Sequence, residues 1–93
     1  MIPSFLQLTV NVRKQGSRYV AYAPALDIST SGKSDKEVRV RFAELVNIFF
    51  EELHSAGTID EVLPELGWRK VRKQWTPPVV ETKAYSVKVP AFA

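Results

Sequence analysis

The sequence has no cysteine, a single histidine and no apolar run long enough to cross a bilayer. Without cysteine the chain can form neither a disulfide nor a thiolate metal site, which fits a reducing compartment. The first residues lack a basic region followed by an apolar core and a small-residue cleavage site, so we expect no signal peptide. These absences predict a cytoplasmic protein with no membrane partner.

The length of 93 residues predicts one domain, residues 1–93, with a small core. The hydrophobic fraction of 45% is typical of a globular protein and argues against wholesale disorder. The net charge of +3 is concentrated in one place, because removing Arg69, Lys70, Arg72 and Lys73 from the count leaves −1. The basicity is therefore a local patch.

The first strand is predicted from a two-residue period. In residues 5–12, FLQLTVNV, the side chains of Leu6, Leu8, Val10 and Val12 fall on one face. The polar segment that follows, residues 13–17, contains a glycine and predicts the loop of a hairpin.

The stretch Tyr19 to Ser34, YVAYAPALDISTSGKS, organises the fold. Its aromatic and β-branched start predicts a strand that ends at Pro24, which has no backbone N–H for a ladder. A second short strand is predicted from Leu26 to Thr30. Ser34 precedes Glu37 by three residues, the spacing of a capping box that begins a helix.

From Asp35 to about Ala56 the apolar residues recur every three or four positions, which predicts a long amphipathic helix ended by Gly57. We expect this stripe to be the largest contribution to the core. Thr58 repeats the capping spacing and predicts a short second helix through about Leu66, distorted by Pro64. The stripe consists of Val38, Phe42, Leu45, Val46, Phe49, Phe50 and Leu53.

The last third predicts an edge strand or hairpin arm at residues 68–75, a proline break, and closing strands at Val79–Thr82 and Tyr85–Val89. The predicted fold class is α+β, an antiparallel sheet with one long helix packed on a face.

The stretch YVAYAPALDISTSGKS, the amphipathic helix after it and the motif ELGW at Glu65 to Trp68 together resemble the HicB family of small bacterial and archaeal proteins. The resemblance covers Leu6 to Val80. It implies a β-β-β-α-β core described as a partial ribonuclease H fold. It also implies an antitoxin whose partner, a HicA-type toxin, is a small protein related to double-stranded-RNA-binding domains that cleaves messenger RNA.

Two departures from the family pattern leave an alternative open. Full-length family antitoxins carry a C-terminal segment that binds operator DNA, whereas this sequence ends at Ala93 after β-like residues. The chain is also slightly basic, although an inhibitor of a basic RNA-binding toxin is expected to be acidic. The alternative is a stand-alone HicB-fold domain with another role.

We expect no catalytic activity, metal or cofactor. Ribonuclease H chemistry needs three or four carboxylates around two metal ions about 4 Å apart, and only Asp27 precedes the long helix. We expect Asp27 to hold the turn after Pro24 by Asx-type hydrogen bonds. The helix acids face solvent, and His54 suits the C-terminal end of the helix dipole. Those acids are Glu37, Glu44, Glu51 and Glu52.

The toxin-facing surface is predicted on the outer face of the sheet around Tyr19, Tyr22 and Asp27, with the polar face of the long helix. Tyrosines at these positions are equally compatible with an ordinary core.

A nucleic-acid patch is the competing prediction. In WRKVRKQW, residues 68–75, Arg69, Lys70, Arg72 and Lys73 could neutralise phosphates while Trp68 and Trp75 stack on bases. The alternative is that both tryptophans belong to the core and that the charges protect an edge strand.

The small core and an edge strand near the C-terminus also predict a homodimer or higher assembly. We expect its copies to meet through sheet edges or through the apolar tail Val87–Phe92.

Overall fold

The computed structural model describes residues 5–91. They form an α+β fold with one long helix on a three-stranded antiparallel sheet and a separate two-stranded sheet. The predicted fold class is therefore confirmed. The predicted Phe92 contact lies outside the described residues. The elements in chain order are β1 (Asn11–Gln15), β2 (Arg18–Ala23), β3 (Ile28–Gly32), α1 (Asp35–Ala56), α2 (Ile59–Glu65), β4 (Arg69–Val71) and β5 (Gln74–Thr76).

The first hairpin begins later than the sequence predicts. Residues 5–10 are not in a strand, and residues 13–15, predicted as loop, belong to β1. The pairing of Gln15 with Arg18 leaves a two-residue turn whose first residue, Gly16, has φ 62°. A glycine with positive φ at this position permits the tight turn that matches the twist of the two strands. The prediction was wrong because Leu6 and Leu8 instead pack against the core cluster near the hairpin of β4 and β5.

The turn between β2 and β3 is built on Ala23. Its carbonyl oxygen accepts from the backbone N–H of Leu26 at 3.2 Å and of Asp27 at 2.8 Å. The strand ends before Pro24 as predicted, and Asp27 has φ 53°, a left-handed conformation that aspartate tolerates better than most residues. Because the turn extends to Asp27, β3 begins at Ile28, two residues after the predicted start.

Helix α1 begins and ends where its capping signals predict. The Ser34 side chain accepts a hydrogen bond from the Glu37 N–H at 3.0 Å, and the Glu37 carboxylate accepts from the Lys33 N–H at 3.2 Å. Gly57 closes the helix with φ 68° in the left-handed region. The apolar stripe is less buried than expected, since Val38 is its one fully buried member and the other six remain half-exposed.

Helix α2 is short and begins after Thr58 as predicted, but the Thr58 side chain forms no capping bond. Pro64 lies inside the helix, which ends one residue later. The backbone N–H of Trp68 then returns to the carbonyl oxygen of Leu63 at 3.0 Å and directs the chain into β4.

Strands β4 and β5 form a two-stranded hairpin that does not join the larger sheet. Its two turn residues, Arg72 and Lys73, have φ values of 53° and 67°, as a type I′ turn requires. Residues 77–91 form no strand, so both predicted closing strands are wrong. None of the helices in residues 5–91 has the length and apolar character needed to cross a bilayer.

The central cluster of buried residues joins the turn after β2, helix α2 and the second hairpin. Trp68 links these segments, because its indole N–H donates to the carbonyl oxygen of Ala25 at 2.7 Å. Its ring also packs edge-on against the ring of Phe50, with 5.9 Å between the ring centroids. The buried members of this cluster are Ala25, Leu26, Leu63, Trp68 and Trp75.

Candidate partner-binding surface

The two faces of the three-stranded sheet differ in what covers them. A Cβ atom added to Gly32 would approach the Val38 backbone nitrogen to 2.8 Å, so this side of β3 faces α1. Tyr19 pairs with Gly32 and shares that side, together with the buried Ala21. Because side chains alternate along a strand, Tyr22 points to the opposite side. We call this opposite side the outer face.

The structure therefore brings together two of the three predicted partner-binding residues. Tyr22 and Asp27 are joined by a hydrogen bond of 2.9 Å from the phenol to Oδ1 of the carboxylate. Tyr19 lies on the helix side of the same strand and is half-buried there. Its placement agrees with the structural interpretation that tyrosines in this strand also serve the core.

The Tyr22–Asp27 pair fixes the protonation state of the phenol. The hydrogen bond to Asp27, followed by desolvation and the negative charge of that carboxylate, raises the pKa of Tyr22 above its ordinary value. The neutral phenol donates to Asp27, and this bond directs the hydroxyl at the carboxylate. The Asp27 side chain bonds to Tyr22 rather than to the turn backbone, which corrects the expected Asx-type role.

The outer face contains further residues that the sequence analysis did not select. Arg18 Nε donates to Ser31 Oγ at 3.3 Å across the β2–β3 pair, and Val20 lies between Arg18 and Tyr22 on the same side. Arg13, paired with Val20, adds a second guanidinium. The alternation of RYVAYA could have identified this set, since it separates Arg18, Val20 and Tyr22 from the alanines.

The polar face of α1 carries intrahelical ion pairs. Arg41 lies 2.9 Å from Glu37, and Arg39 lies 3.4 Å from Asp35, each one turn apart and exposed. Exposed pairs of this kind contribute little to stability, and their charged groups can exchange partners at low cost. This face can therefore offer its charged groups to a partner of opposite charge without a large loss of fold stability.

The basic patch is placed on the second hairpin, but its tryptophans are not available for stacking. Trp68 and Trp75 are both buried, so the predicted base-stacking role of the indoles is wrong. Lys70 Nζ lies 3.4 Å from Asp60 Oδ1. The same atom lies 5.2 Å from the centre of the Trp75 ring. The exposed side chains of Arg69, Arg72 and Lys73 complete a cationic tip.

An apolar groove of about 720 Å³ lies between the end of α1, the start of α2 and the second hairpin. Its apolar lining residues include Phe50, Leu53, Ile59 and Trp75. Polar and charged groups also line it, including His54 and the Asp60–Lys70 ion pair. The groove was not predicted because its walls come from three separate elements. A surface of this kind can receive an apolar side chain.

The acids considered for metal chemistry do not converge. Asp27 is bonded to Tyr22, Glu37 caps α1, and the other helix acids extend along α1 over several turns. Among residues 5–91, no group of three or more His, Cys, Asp or Glu side chains is arranged to hold a metal ion.

Comparison with known proteins gives no further assignment, since no family model, no curated protein and no solved structure matches the chain. The resemblance to the HicB family therefore depends on the motifs of the sequence itself.

Proposed function

We propose that this chain is a HicB-like antitoxin, a cytoplasmic protein without catalytic activity that binds and neutralises a small HicA-type, mRNA-cleaving toxin. Two observations support the proposal: the HicB-like motifs of the sequence, and an outer sheet face that no helix covers. The uncovered outer face carries the argument for binding. When one side of a sheet packs on a helix and the other side is exposed, the side chains of the exposed side are available to a partner.

The Tyr22–Asp27 pair is the proposed centre of the contact. Tyrosine is enriched among the residues that dominate binding energy, because its ring buries a large area while its hydroxyl keeps a polar partner. Here the hydroxyl is already oriented by Asp27. Asp27 is exposed, so its other carboxylate oxygen can accept from the positive side chains expected of an RNA-binding toxin.

Arg18 and Val20 extend the contact along β2. Arg18 is bonded to Ser31, so the guanidinium is held in place before binding. Ordered side chains lose less conformational entropy on association, which favours binding by a preformed surface.

The decisive experiment looks for a small reading frame beside the gene of this chain and coexpresses its product with the chain. We expect this product to copurify with the chain and its toxicity to be relieved. Tyr22→Ala should weaken copurification by about tenfold or more, since removal of a central interface tyrosine costs about 2 kcal/mol.

Phe5→Ala is the matched control, because it removes an exposed aromatic ring outside the sheet. Equal binding by both variants would place the contact elsewhere. Unrelieved toxicity with no copurification would contradict the antitoxin function itself.

A second candidate function, nucleic-acid binding, is favoured by the turn of the second hairpin. Arg72 and Lys73 both have positive φ, although asparagine and glycine adopt this conformation at lower cost. Two cations at the tip of such a turn are placed to contact phosphates, without base stacking.

If this function holds, RNA or DNA binding should weaken steeply with salt, and the salt dependence should fall when Lys70 and Lys73 become alanine. Absence of binding at about 50 mM salt would contradict it.

We also propose self-association into a homodimer or higher assembly. The fully buried hydrophobic residues among those described include three alanines, and the α1 stripe stays half-exposed. A second copy would cover apolar surface that the monomer leaves in water.

A further inference from the structure

The last described segment, residues 81–91, extends from the body of the protein, and we call it the C-terminal arm. Every residue in it is exposed and none is in a helix or strand. The radius of gyration is 16.1 Å and the longest dimension is 54 Å. A compact chain of this length has a radius of gyration of about 12 Å, so the extended arm increases the size of the molecule.

The arm carries the side-chain pattern of a half-buried strand. Tyr85, Val87 and Val89 occupy every second position and are 79%, 73% and 71% exposed. Ser86 and Lys88 separate them and would point to the other side of an extended segment. Pro90 then removes a backbone donor and ends the pattern. The arm thus has the composition of a strand but makes no strand pairing.

The free edge of β3 is a matching acceptor. β3 is the last strand of its sheet, and beside it lies a groove of about 390 Å³ lined by Thr30, Arg41, Glu44, Leu45 and Ile48. Ile48 is 50% exposed, and Leu45, one turn before it, is half-buried. A strand added at this edge would therefore have apolar helix surface above one of its faces.

The two sides of the arm match the two sides of this edge. The helix side offers Leu45 and Ile48 to the apolar residues of the arm, while the outer face offers Ser29 and Ser31 to its polar residues. The six residues 84–89 also fit the five-residue length of β3. The β1 edge is a poorer acceptor, because α1 packs against β2 and β3 instead of β1.

We propose that the C-terminal arm of one copy adds as a strand to the free edge of β3 in a second copy, with Tyr85, Val87 and Val89 against the flank of α1 formed by Leu45 and Ile48. This inference rests on the self-association proposed above and names its surface. Reciprocal exchange of two arms gives a closed dimer with two equivalent contacts and pairs both exposed edges of β3.

The test uses two variants that place a carboxylate on opposite sides of the same contact. Val87→Asp alters the arm and Ile48→Asp alters the acceptor. Both positions are exposed, so each variant should keep the helical circular dichroism spectrum of the wild type. We expect the wild type to be a dimer by light scattering at micromolar concentration, and each variant to dissociate at least tenfold more readily.

Mixing the two variants distinguishes exchange between copies from folding of the arm onto its own chain. The mixture can form one intact contact, between the normal arm of the Ile48→Asp copy and the normal edge of the Val87→Asp copy, and should recover dimers. Lys88→Asp is the control, because it introduces the same carboxylate on the opposite side of the arm and should leave the dimer intact.

Three results would overturn the proposal. A dimer that is unaffected by Val87→Asp would locate self-association elsewhere and leave the homodimer standing. A mixture of variants that stays monomeric would indicate that each arm closes on its own β3. A monomeric wild type would contradict both the exchange and the self-association.

Discussion

The indole N–H of Trp68 donates a hydrogen bond of 2.7 Å to the carbonyl oxygen of Ala25, 43 residues earlier in the chain. Both residues are buried, so the bond connects the second hairpin to the turn after β2 where water cannot replace it. The tryptophan of the ELGW motif therefore has a structural role. The same placement prevents it from stacking on a base.

Trp68→Phe should destabilise the fold by about 1–3 kcal/mol, because it leaves a buried carbonyl without its donor. Urea unfolding followed by circular dichroism measures this change. Trp75→Phe is the control, since it removes an indole from the same cluster without affecting the Ala25 bond, and its loss should be smaller. Equal losses would show that ring volume, and not the hydrogen bond, determines the effect.

The Tyr22–Asp27 pair predicts a dependence of stability on alkaline pH. The pKa of Tyr22 is raised in the folded state, chiefly by its hydrogen bond to Asp27. The folded chain then holds the phenolic proton more tightly than the unfolded chain does. The contribution of the pair is fully present below the unfolded pKa of about 10 and is lost as the pH rises through the raised value.

Tyr22→Phe should therefore reduce the fall in the free energy of unfolding between neutral and strongly alkaline pH. Asp27→Asn should lower the pKa of Tyr22, measured by the ultraviolet absorbance of the phenolate. Tyr85→Phe serves as the control, because Tyr85 lies in the exposed arm. Its replacement should leave the raised pKa of Tyr22 unchanged. An unchanged titration of Tyr22 in Asp27→Asn would contradict the assigned cause.

Gly32→Ala should destabilise the contact between β3 and α1. The new Cβ would meet the Val38 backbone nitrogen at 2.8 Å and its Cα at 3.1 Å, and backbone atoms cannot move aside like a flexible side chain. We expect a loss of about 1–3 kcal/mol from the resulting strain. Ser29→Ala, on the exposed side of the same strand, should change stability by less than about 0.5 kcal/mol. The midpoint temperatures of thermal unfolding measure both changes. Equal midpoints for the two variants would contradict the close approach of Gly32 to Val38.

Arg72→Asn should stabilise the second hairpin by about 0.5–1 kcal/mol, because asparagine adopts the left-handed conformation at φ 53° with less strain. Arg69→Asn removes the same charge from β4, where asparagine is unfavourable, and should destabilise. Chemical denaturation measures the free energy of unfolding of both variants, which we expect to change in opposite directions. Similar shifts in both variants would mean that charge, and not turn strain, dominates.

The local elements could be predicted from the sequence because their determinants are close together along the chain. The Ser34 cap, the Gly57 terminator and the periodic residues between them fixed the bounds of α1. Pro24 ended β2 for an equally local reason, the missing backbone donor.

The surfaces could not be predicted in the same way. The start of β1, the covering of the Tyr19 side of β2 by α1 and the burial of both tryptophans depend on contacts between segments far apart in the sequence. Residues 85–89 show the same limit, because alternation indicates a strand only when an edge is available to pair with it. The sequence by itself determined the α+β class, the long helix and its caps. Only the tertiary structure decided which side chains share the outer face, because long-range packing and pairing select the side that α1 covers.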